Sequence, residues 1–556
     1  MEALGHFPAT PADRSSRQPT NIKHWATVLR PLFAATLDPA STDSCFLQQG
    51  TRTVKKLLSA AVVAMTLAVT TSVADAQYRS APGQSLRSLL SATAARPSSI
   101  GARPIQIGVG TSAFIASAGQ ASEAFAGLIP GRGGLTLIMY VFVEETQAHE
   151  AFSIYVPPTA VGDERPLLVA FHGYNVSHLD IAANTSFVAE CQARDWILVA
   201  PYSRNLAPTA PGTSQSSFGS VQSQVHVQAV IDYVIANFSV DKDRLYGVGF
   251  SMGGGAAMSY AARHRDRDRG AFAAVVNHTG TVSLHNTYDN VAPDTQALLE
   301  GLFGGSPASP AGSFEFARAS SIEVDALGAL VPGGRHMATN LKGVPLRTYY
   351  AFDDSEQYLI DQSLALHSFM SAASASHELI ALPSACPLPS QQGHCWDTID
   401  ETEVCDWFAQ HSFGSPVPVG QVLADRNARW GNLKVDPTAT GAFAALDYAV
   451  ATGQNSVRLL STVNVDGIEL DMLELGLDTS QDLFLRLGSA DGTGDQVMVR
   501  SYPTLPQSVT RNGQAVVQTS GSGWGSGQNS WSYNPVTRML LINEIDALPS
   551  TWAIAP

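Results

Sequence analysis

Positive charge is what this chain most plainly lacks. Lys and Arg number 33 against 48 Asp and Glu, a net charge of -15, and a phosphate-binding face needs a basic surplus, which argues against a nucleic-acid partner. Charge of either sign is sparse, 15% of residues against 45% hydrophobic, which fits a folded soluble protein rather than a disordered acidic one. Cysteine is scarce as well, five in 556 residues, too few for a domain built on disulfides. No C-x-x-C pair occurs, so a zinc set of Cys386, His394, Cys395 and Cys405 lacks the usual ligand spacing. There is no internal repeat. Only one long apolar run exists, Leu57 to Val73. The length exceeds what one ordinary core accommodates and predicts two domains.

The apolar run follows Lys55-Lys56 and ends in Ala74-Asp75-Ala76, the basic, apolar and small-residue parts of a bacterial-type secretory signal. Its shortness and its Ala, Thr and Ser content suit a removable signal better than a transmembrane helix, so no stable membrane span is expected after cleavage at Ala76. The protein is therefore expected to be secreted, into the periplasm or the medium. Residues 1–53 show no strong periodicity, and Val54-Lys55-Lys56 makes an ordinary secretory start. The expectation is translation from Val54, with 1–53 a gene-model extension and 54–76 the signal peptide. Export permits disulfides. Cys191 reads as a buried thiol in a helix-like run, and among the crowded Cys386, Cys395 and Cys405 the pairing Cys386 with Cys395 is favoured.

From Gln77 to Gly134 the chain is rich in Ala, Ser, Gly and Pro and reads as a linker or loosely packed leader. At Leu135 the pattern changes. Leu135 to Val143 and Ala151 to Val156 make a hairpin around Glu144 to His149. Strand-like runs follow at Leu167–Phe171, Trp196–Ala200, Leu245–Phe250, Ala273–Val276, Leu346–Phe352 and Glu378–Leu382, mostly separated by helix-like segments such as Val221–Asn237 and Gln357–Ala373. That alternation predicts an α/β domain over 135–413, a mostly parallel sheet covered by helices. Pro416 and Pro418 mark a boundary. Over 414–556, short alternating runs at Ala445–Ala451, Ser456–Val463, Leu470–Leu477, Gln496–Tyr502 and Thr537–Ile545 predict a smaller all-β sandwich.

The chemistry centres on Gly249-Phe-Ser251-Met-Gly253, a Gly-x-Ser-x-Gly between the strand-like Leu245–Phe250 and a helix-like run. An elbow of this kind forces its serine into a tight strand-to-helix turn, and the two glycines leave room for it. Alone the pentapeptide is weak, and an inert glycine-rich turn is the competing reading. A dinucleotide site fits worse, since Met252 stands where G-x-G-x-x-G needs its third glycine. A serine hydroxyl needs a base and a buried acid to orient that base, and in such elbows the chain order is Ser, acid, His. Asp353 and Asp354 directly follow a strand, and Asp354 is preferred, with one of the pair expected to cap the next helix. His394, in Gln391-Gln-Gly-His-Cys-Trp-Asp397, is the candidate base. His178 and His226 sit on surface-like segments, and His278 follows a strand too early in the chain. Phe171-His-Gly-Tyr174 supplies a loop whose Tyr174 N–H, with that of Met252, would form an oxyanion hole. His172, His278 and Trp396 are candidates for the pocket wall.

Together, Leu-Val-Ala-Phe-His-Gly, Gly-Phe-Ser-Met-Gly-Gly, the Asp-Asp after a strand and Gly-His-Cys-Trp resemble the α/β-hydrolase superfamily. Within it, residues Leu135 to Phe413 are similar to secreted polyhydroxybutyrate depolymerases and to feruloyl and acetylxylan esterases. The resemblance implies Ser251 as nucleophile, His394 as base, Asp354 as acid, and Tyr174 and Met252 as hole donors, with no metal or organic cofactor. One departure concerns the acid: those esterases often carry Gly-Thr-x-Asp, where this chain has Tyr350-Ala-Phe-Asp353-Asp354. The implied function is hydrolysis of a carboxylic ester, on a polymer or linked to one. A serine peptidase of the prolyl-oligopeptidase type and a noncatalytic surface protein on the same scaffold are the alternatives. Trp524 and Trp531 are read either as exposed platforms for a polymer or as sandwich core.

Overall fold

The computed structural model describes residues 112–117, 120–125 and 135–556, apart from segments 158–159, 161, 204–216, 374, 415–416, 491–493, 521–526 and 547–548. The expected signal and the stretch before it lie outside the described residues.

Ten strands form one mixed sheet: β1 (Ser112–Ser117), β2 (Gln120–Phe125), β3 (Leu135–Val143), β4 (Ala148–Val156), β5 (Arg165–Phe171), β6 (Ile197–Pro201), β7 (Val240–Phe250), β8 (Ala274–His278), β9 (Leu346–Ala351) and β10 (His377–Leu382). Their order is β1-β2-β3-β4-β6-β5-β7-β8-β9-β10. From β6 to β10 all pairs are parallel, and β1 to β4 continue the sheet antiparallel. Residue patterning explains the division. In β3, Leu137, Met139, Val141 and Val143 are buried in strict alternation, as on a strand with one covered face, whereas β6 and β8 are buried at every position. The stretch read as a linker contributes β1 and β2, and β2 meets β3 at Ala124↔Met139 and Phe125↔Ile138.

Helices cover both faces: α1 (Leu179–Asn184), α2 (Phe187–Arg194), α3 (Val221–Asn237), α4 (Met252–Arg263), α5 (Leu284–Asn290), α6 (Pro293–Phe303), α7 (Pro310–Ala319), α8 (Gln357–Ala372) and α9 (Glu401–Phe408). Parallel strands joined by helices, with the antiparallel β4 inserted beside β6, form the α/β-hydrolase arrangement. Every residue of α4 is buried, so its Ala and Gly content reflects close packing on the sheet. Between β8 and β9, α5 to α7 bury an apolar cluster of their own, including Leu284, Leu298, Phe303 and Phe316. Among the described residues no helix is long and apolar enough to cross a membrane.

The C-terminal region is a β-sandwich of two seven-stranded sheets. Trp552, Leu485 and Leu459 from one sheet and Ile468, Val499 and Leu540 from the other belong to the buried core. One expected strand is displaced: the strand is Val465–Asp471, and Leu473 to Gly476 form a turn because the Asp471 carboxylate accepts the N–H groups of Leu473 and Glu474. Trp531 is 7% exposed and donates its indole N–H to the Val516 carbonyl, so it belongs to the core, while Trp524 lies outside the described residues.

The sandwich docks on the amino ends of the parallel strands. Arg263, the last residue of α4, is 1% exposed and donates through Nε and Nη2 to Asp425 Oδ2 at 3.1 and 2.6 Å. Asn340 exchanges bonds with the Leu423 backbone at 2.9 Å each way, and the Phe413 N–H reaches the Asp243 carbonyl at 2.7 Å. Burial alone would raise the Asp425 carboxyl, but Arg263, aided by Arg426 and Arg318, holds it below the usual range.

Candidate active site

Ser251 stands between the last residue of β7 and the first of α4, at φ +55° and ψ -123°, in the left-handed region that a residue with a Cβ rarely enters. Close packing holds it there. A Cβ on Gly249 would lie 2.1 Å from the Gly253 carbonyl oxygen, and one on Gly253 would lie 2.2 Å from that of Phe171. The serine N–H is held by the His278 carbonyl at 2.9 Å, and its own carbonyl accepts from Gly254 and Thr281. With the backbone fixed, the side chain points outward at the carboxyl end of the sheet.

His394 reaches it from the loop after β10. His394 Nε2 is 2.9 Å from Ser251 Oγ and Nδ1 is 2.7 Å from Asp354 Oδ2. Asp354 is 6% exposed, and its other oxygen accepts the Glu356 N–H at 2.9 Å, at the entrance to α8. One carboxylate thus serves both as turn former and as partner of the histidine. Asp353 points elsewhere, taking the N–H and hydroxyl of Ser384 at 2.8 and 2.6 Å, and the Ser384 hydroxyl holds this exposed carboxyl below its ordinary range. Because a carboxylate only accepts, Nδ1 carries the proton and Nε2 is left free to accept the serine hydroxyl.

The loop that carries His394 is fastened three ways. Cys395 is disulfide-bonded to Cys386, which removes two of the four donors from the zinc alternative. Trp396 donates its indole N–H to Asp180 at 3.1 Å. Phe250 lies under the base, its ring centroid 4.6 Å from that of His394, 4.8 Å from His278 and 5.3 Å from Trp396. Cys191 is a buried free thiol, as is Cys405.

The three residues proposed for the pocket wall are all buried. His172 is 2% exposed, with its ring nitrogens 2.8 and 2.9 Å from the carbonyls of Gly173 and Tyr202. His278 is fully enclosed, and burial, with the neighbouring His394, pulls its pKa down to about 3, so it stays neutral in this layer of rings. Trp396 is 5% exposed. The histidines read as lying on surface-like segments are also buried: His178 is 7% exposed, and His226 is wholly enclosed with Nδ1 3.0 Å from Glu150. The polar residues around them, such as Gln222, Ser223, Gln224 and Gln228 beside His226, gave no sign that a β4 carboxylate would meet an α3 imidazole.

Met252 is the first residue of α4, where a helix leaves its N–H groups without intrahelical partners. The loop after β5 is pressed against that turn through Gly253, bringing the Tyr174 segment alongside. The Tyr174 ring packs 5.6 Å from Phe218 and joins the cluster of Met252, Leu284 and Leu298. This apolar flank, supplied largely by α5 to α7, carries no sequence motif, and only the packing shows it.

No protein-family model matches the chain, and no curated protein does. Solved structures to which it is similar include an S-formylglutathione hydrolase from Agrobacterium tumefaciens, at 15% identity over 51% of this chain and 97% of that one, TM-score 0.38. An acetyl xylan esterase from Paenibacillus sp. R4 is similar at 12% identity over 52% of this chain and 88% of that one, TM-score 0.36. A fluorophosphonate-binding serine hydrolase from Staphylococcus aureus is similar at 14% identity over 50% of this chain and 98% of that one, TM-score 0.36.

Proposed function

We propose that the chain is a serine carboxylic-ester hydrolase, secreted, acting through Ser251, His394 and Asp354. The observation that carries this reading is the continuous relay of 2.9 and 2.7 Å from a serine in the left-handed region, through one imidazole, to a buried carboxylate. His394 Nε2 takes the hydroxyl proton as Oγ attacks the ester carbonyl. The imidazolium so formed is stabilised by Asp354. Negative charge gathers on the former carbonyl oxygen, which the N–H groups of Met252 and Tyr174 are suited to receive, the first strengthened by the α4 dipole. His394 then returns the proton to the leaving alcohol, and a water deprotonated by the same imidazole clears the acyl-enzyme.

The half-buried Tyr174 ring, backed by the buried Phe218, Leu284 and Leu298, favours an acyl group with hydrocarbon character. Polyhydroxyalkanoate, or a feruloyl or acetyl group on plant polysaccharide, is the proposed substrate class. For the sandwich a structural role is favoured, since it docks on the amino ends of the strands while Ser251 opens at the carboxyl ends. A peptidase of the prolyl-oligopeptidase type normally adds a propeller, whereas the second module among the described residues is a sandwich.

Turnover of p-nitrophenyl acetate and butyrate should vanish in Ser251→Ala, and a fluorophosphonate probe should label the wild type but not the variant. Undiminished hydrolysis by that variant would overturn the proposal. Release products from polyhydroxybutyrate, feruloylated xylan and acetylated xylan, identified by mass, would then choose the substrate.

A further inference from the structure

Between the α/β part and the sandwich lies a chamber of about 70 Å³, lined among others by Arg265, Phe272, Asn340, Lys342, Trp430 and Tyr448. Arg265 and Trp430 face each other across an isolated parallel β-bridge, tied by the Gly431 N–H to the Arg265 carbonyl at 3.2 Å. Paired residues of such a bridge send their side chains to the same side. Both are buried, at 9% and 4% exposure. The Trp430 indole N–H has no hydrogen-bond partner among the described residues. The Arg265 guanidinium donates to the Phe272 carbonyl at 3.3 Å and lies over the Phe413 ring, yet it pairs with no carboxylate among the described residues.

Acids nearby are already engaged: Asp425 with Arg263, Asp243 with Arg267, and Asp447 with the Gln421 amide. Tyr448 supplies no charge, since burial raises its phenol. Burial likewise pulls the Arg265 guanidinium down to about 10, a measure of how poorly water reaches it. A buried cation without a counter-charge costs several kcal/mol. Beside the chamber, sharing Lys342 and Tyr448, opens a cleft of about 330 Å³ that also bears Arg458. Neither Lys342 nor Arg458 forms an ion pair among the described residues, so the approach is cationic, with Asp447 its one acid.

We propose that the chamber binds a small monovalent anion, a halide or a short carboxylate, between the Arg265 guanidinium and the Trp430 indole N–H, and that this anion fastens the sandwich to the α/β part. The chemistry fits on three counts. Two donors on bridge-paired residues line one chamber, and neither meets a carboxylate among the described residues. The volume, about that of two or three waters, is on the scale of a small anion. The anion would supply the charge that the protein withholds from Arg265 while providing one for Arg263 nearby. The site is independent of the ester-hydrolase reading and should persist in Ser251→Ala.

The test is thermal unfolding of the full chain at constant ionic strength, with sodium gluconate replaced stepwise by chloride, bromide or acetate. Gluconate, much bulkier than the other three anions, serves as the reference. A saturable rise in Tm with at least one small anion is expected, since a ligand that binds only the folded state stabilises it by mass action. A response to halides but not acetate would assign the site to a halide, and the reverse to a carboxylate. Arg265→Met should abolish the rise, and Trp430→Phe, which keeps an aromatic ring but removes the donor, should weaken apparent affinity about tenfold. A crystal grown in bromide should show anomalous density between the two side chains, a readout that does not depend on either variant folding. Equal Tm in all four salts with no bromide density, or an unchanged rise in both variants, would overturn the proposal and leave the chamber to water.

Discussion

At its first turn α4 is joined to a serine at φ +55°, with glycine backbone pressed on neighbouring carbonyls; at its last residue the same helix places a guanidinium that is fully matched by Asp425 and Gln224. Twelve residues, about 18 Å of helix, separate the two. One end holds a strained backbone and leaves N–H groups for something outside the protein to use. The other end spends side chains to satisfy every donor it can, and welds a second module in place. Strain is tolerable at the first because the rigidity of the second, and of the sheet between, leaves α4 nowhere to relax.

This contrast can be broken at either end. The largest effect is expected from Asp354→Asn, which keeps the shape but inverts the hydrogen-bond sense at His394 Nδ1; kcat should fall about 10⁴-fold with Tm nearly unchanged, whereas Asp353→Asn should leave kcat within about threefold. Asp425→Ala should do the reverse, costing about 3–5 kcal/mol in denaturant unfolding by stranding Arg263, with kcat on a small ester kept in the protein that remains folded. Should Asp425→Ala abolish turnover while leaving stability intact, the division of labour along α4 would be wrong. Replacing both Cys386 and Cys395 by Ser opens a short loop and should cost about 2–3 kcal/mol, accompanied by a lower kcat because His394 loses an anchor.

The smallest effect per group comes from pH and is common to both ends. Burial pulls His278 down to about 3 at the site and drives His264 well below its usual value at the interface, where nearby arginines add to the effect. Both therefore remain unprotonated in the folded chain while their unfolded counterparts take up protons below about pH 6.5. Stability is fully present above that pH and falls as acid is added, by up to about 1.4 kcal/mol per pH unit for each group. Chemical denaturation between pH 7 and pH 4.5 would show it. A His264→Gln variant should remove one group's share of the slope, and an unchanged slope would mean that His264 titrates normally in the fold.

The sheet was largely legible in the sequence because its central strands are uninterrupted apolar runs: β3 and α3 fall where periodicity places them, and β5 to β10 differ mainly at their ends. Ser251, Asp354 and His394, spread over 143 residues of chain, converge because strand-end positions in a parallel sheet share one edge, a rule that needs no contact information. Long-range pairing was hidden. Nothing local in Arg263, Asp425 or Arg265 tells that they meet across two modules, and His178 and His226 look polar and exposed until their buried partners are placed. The Leu470–Leu477 run misled for a simpler reason: apolar residues in a turn alternate as they do in a strand, and only the Asp471 carboxylate bonding forward to Leu473 and Glu474 distinguishes the two.

Gly253, Gly254 and Gly255 each touch a different piece of backbone or buried polar side chain: the carbonyls of Phe171 and His172, the Asn277 amide with Gly280, and Thr281. Three successive positions therefore admit no side chain, each for its own reason. A single compensating shift could not rescue more than one of them. Whatever else drifts in this chain over generations, the first turn of α4 is a fixed word in its text, and the two loops it touches can lengthen or change chemistry only by keeping their distance from it.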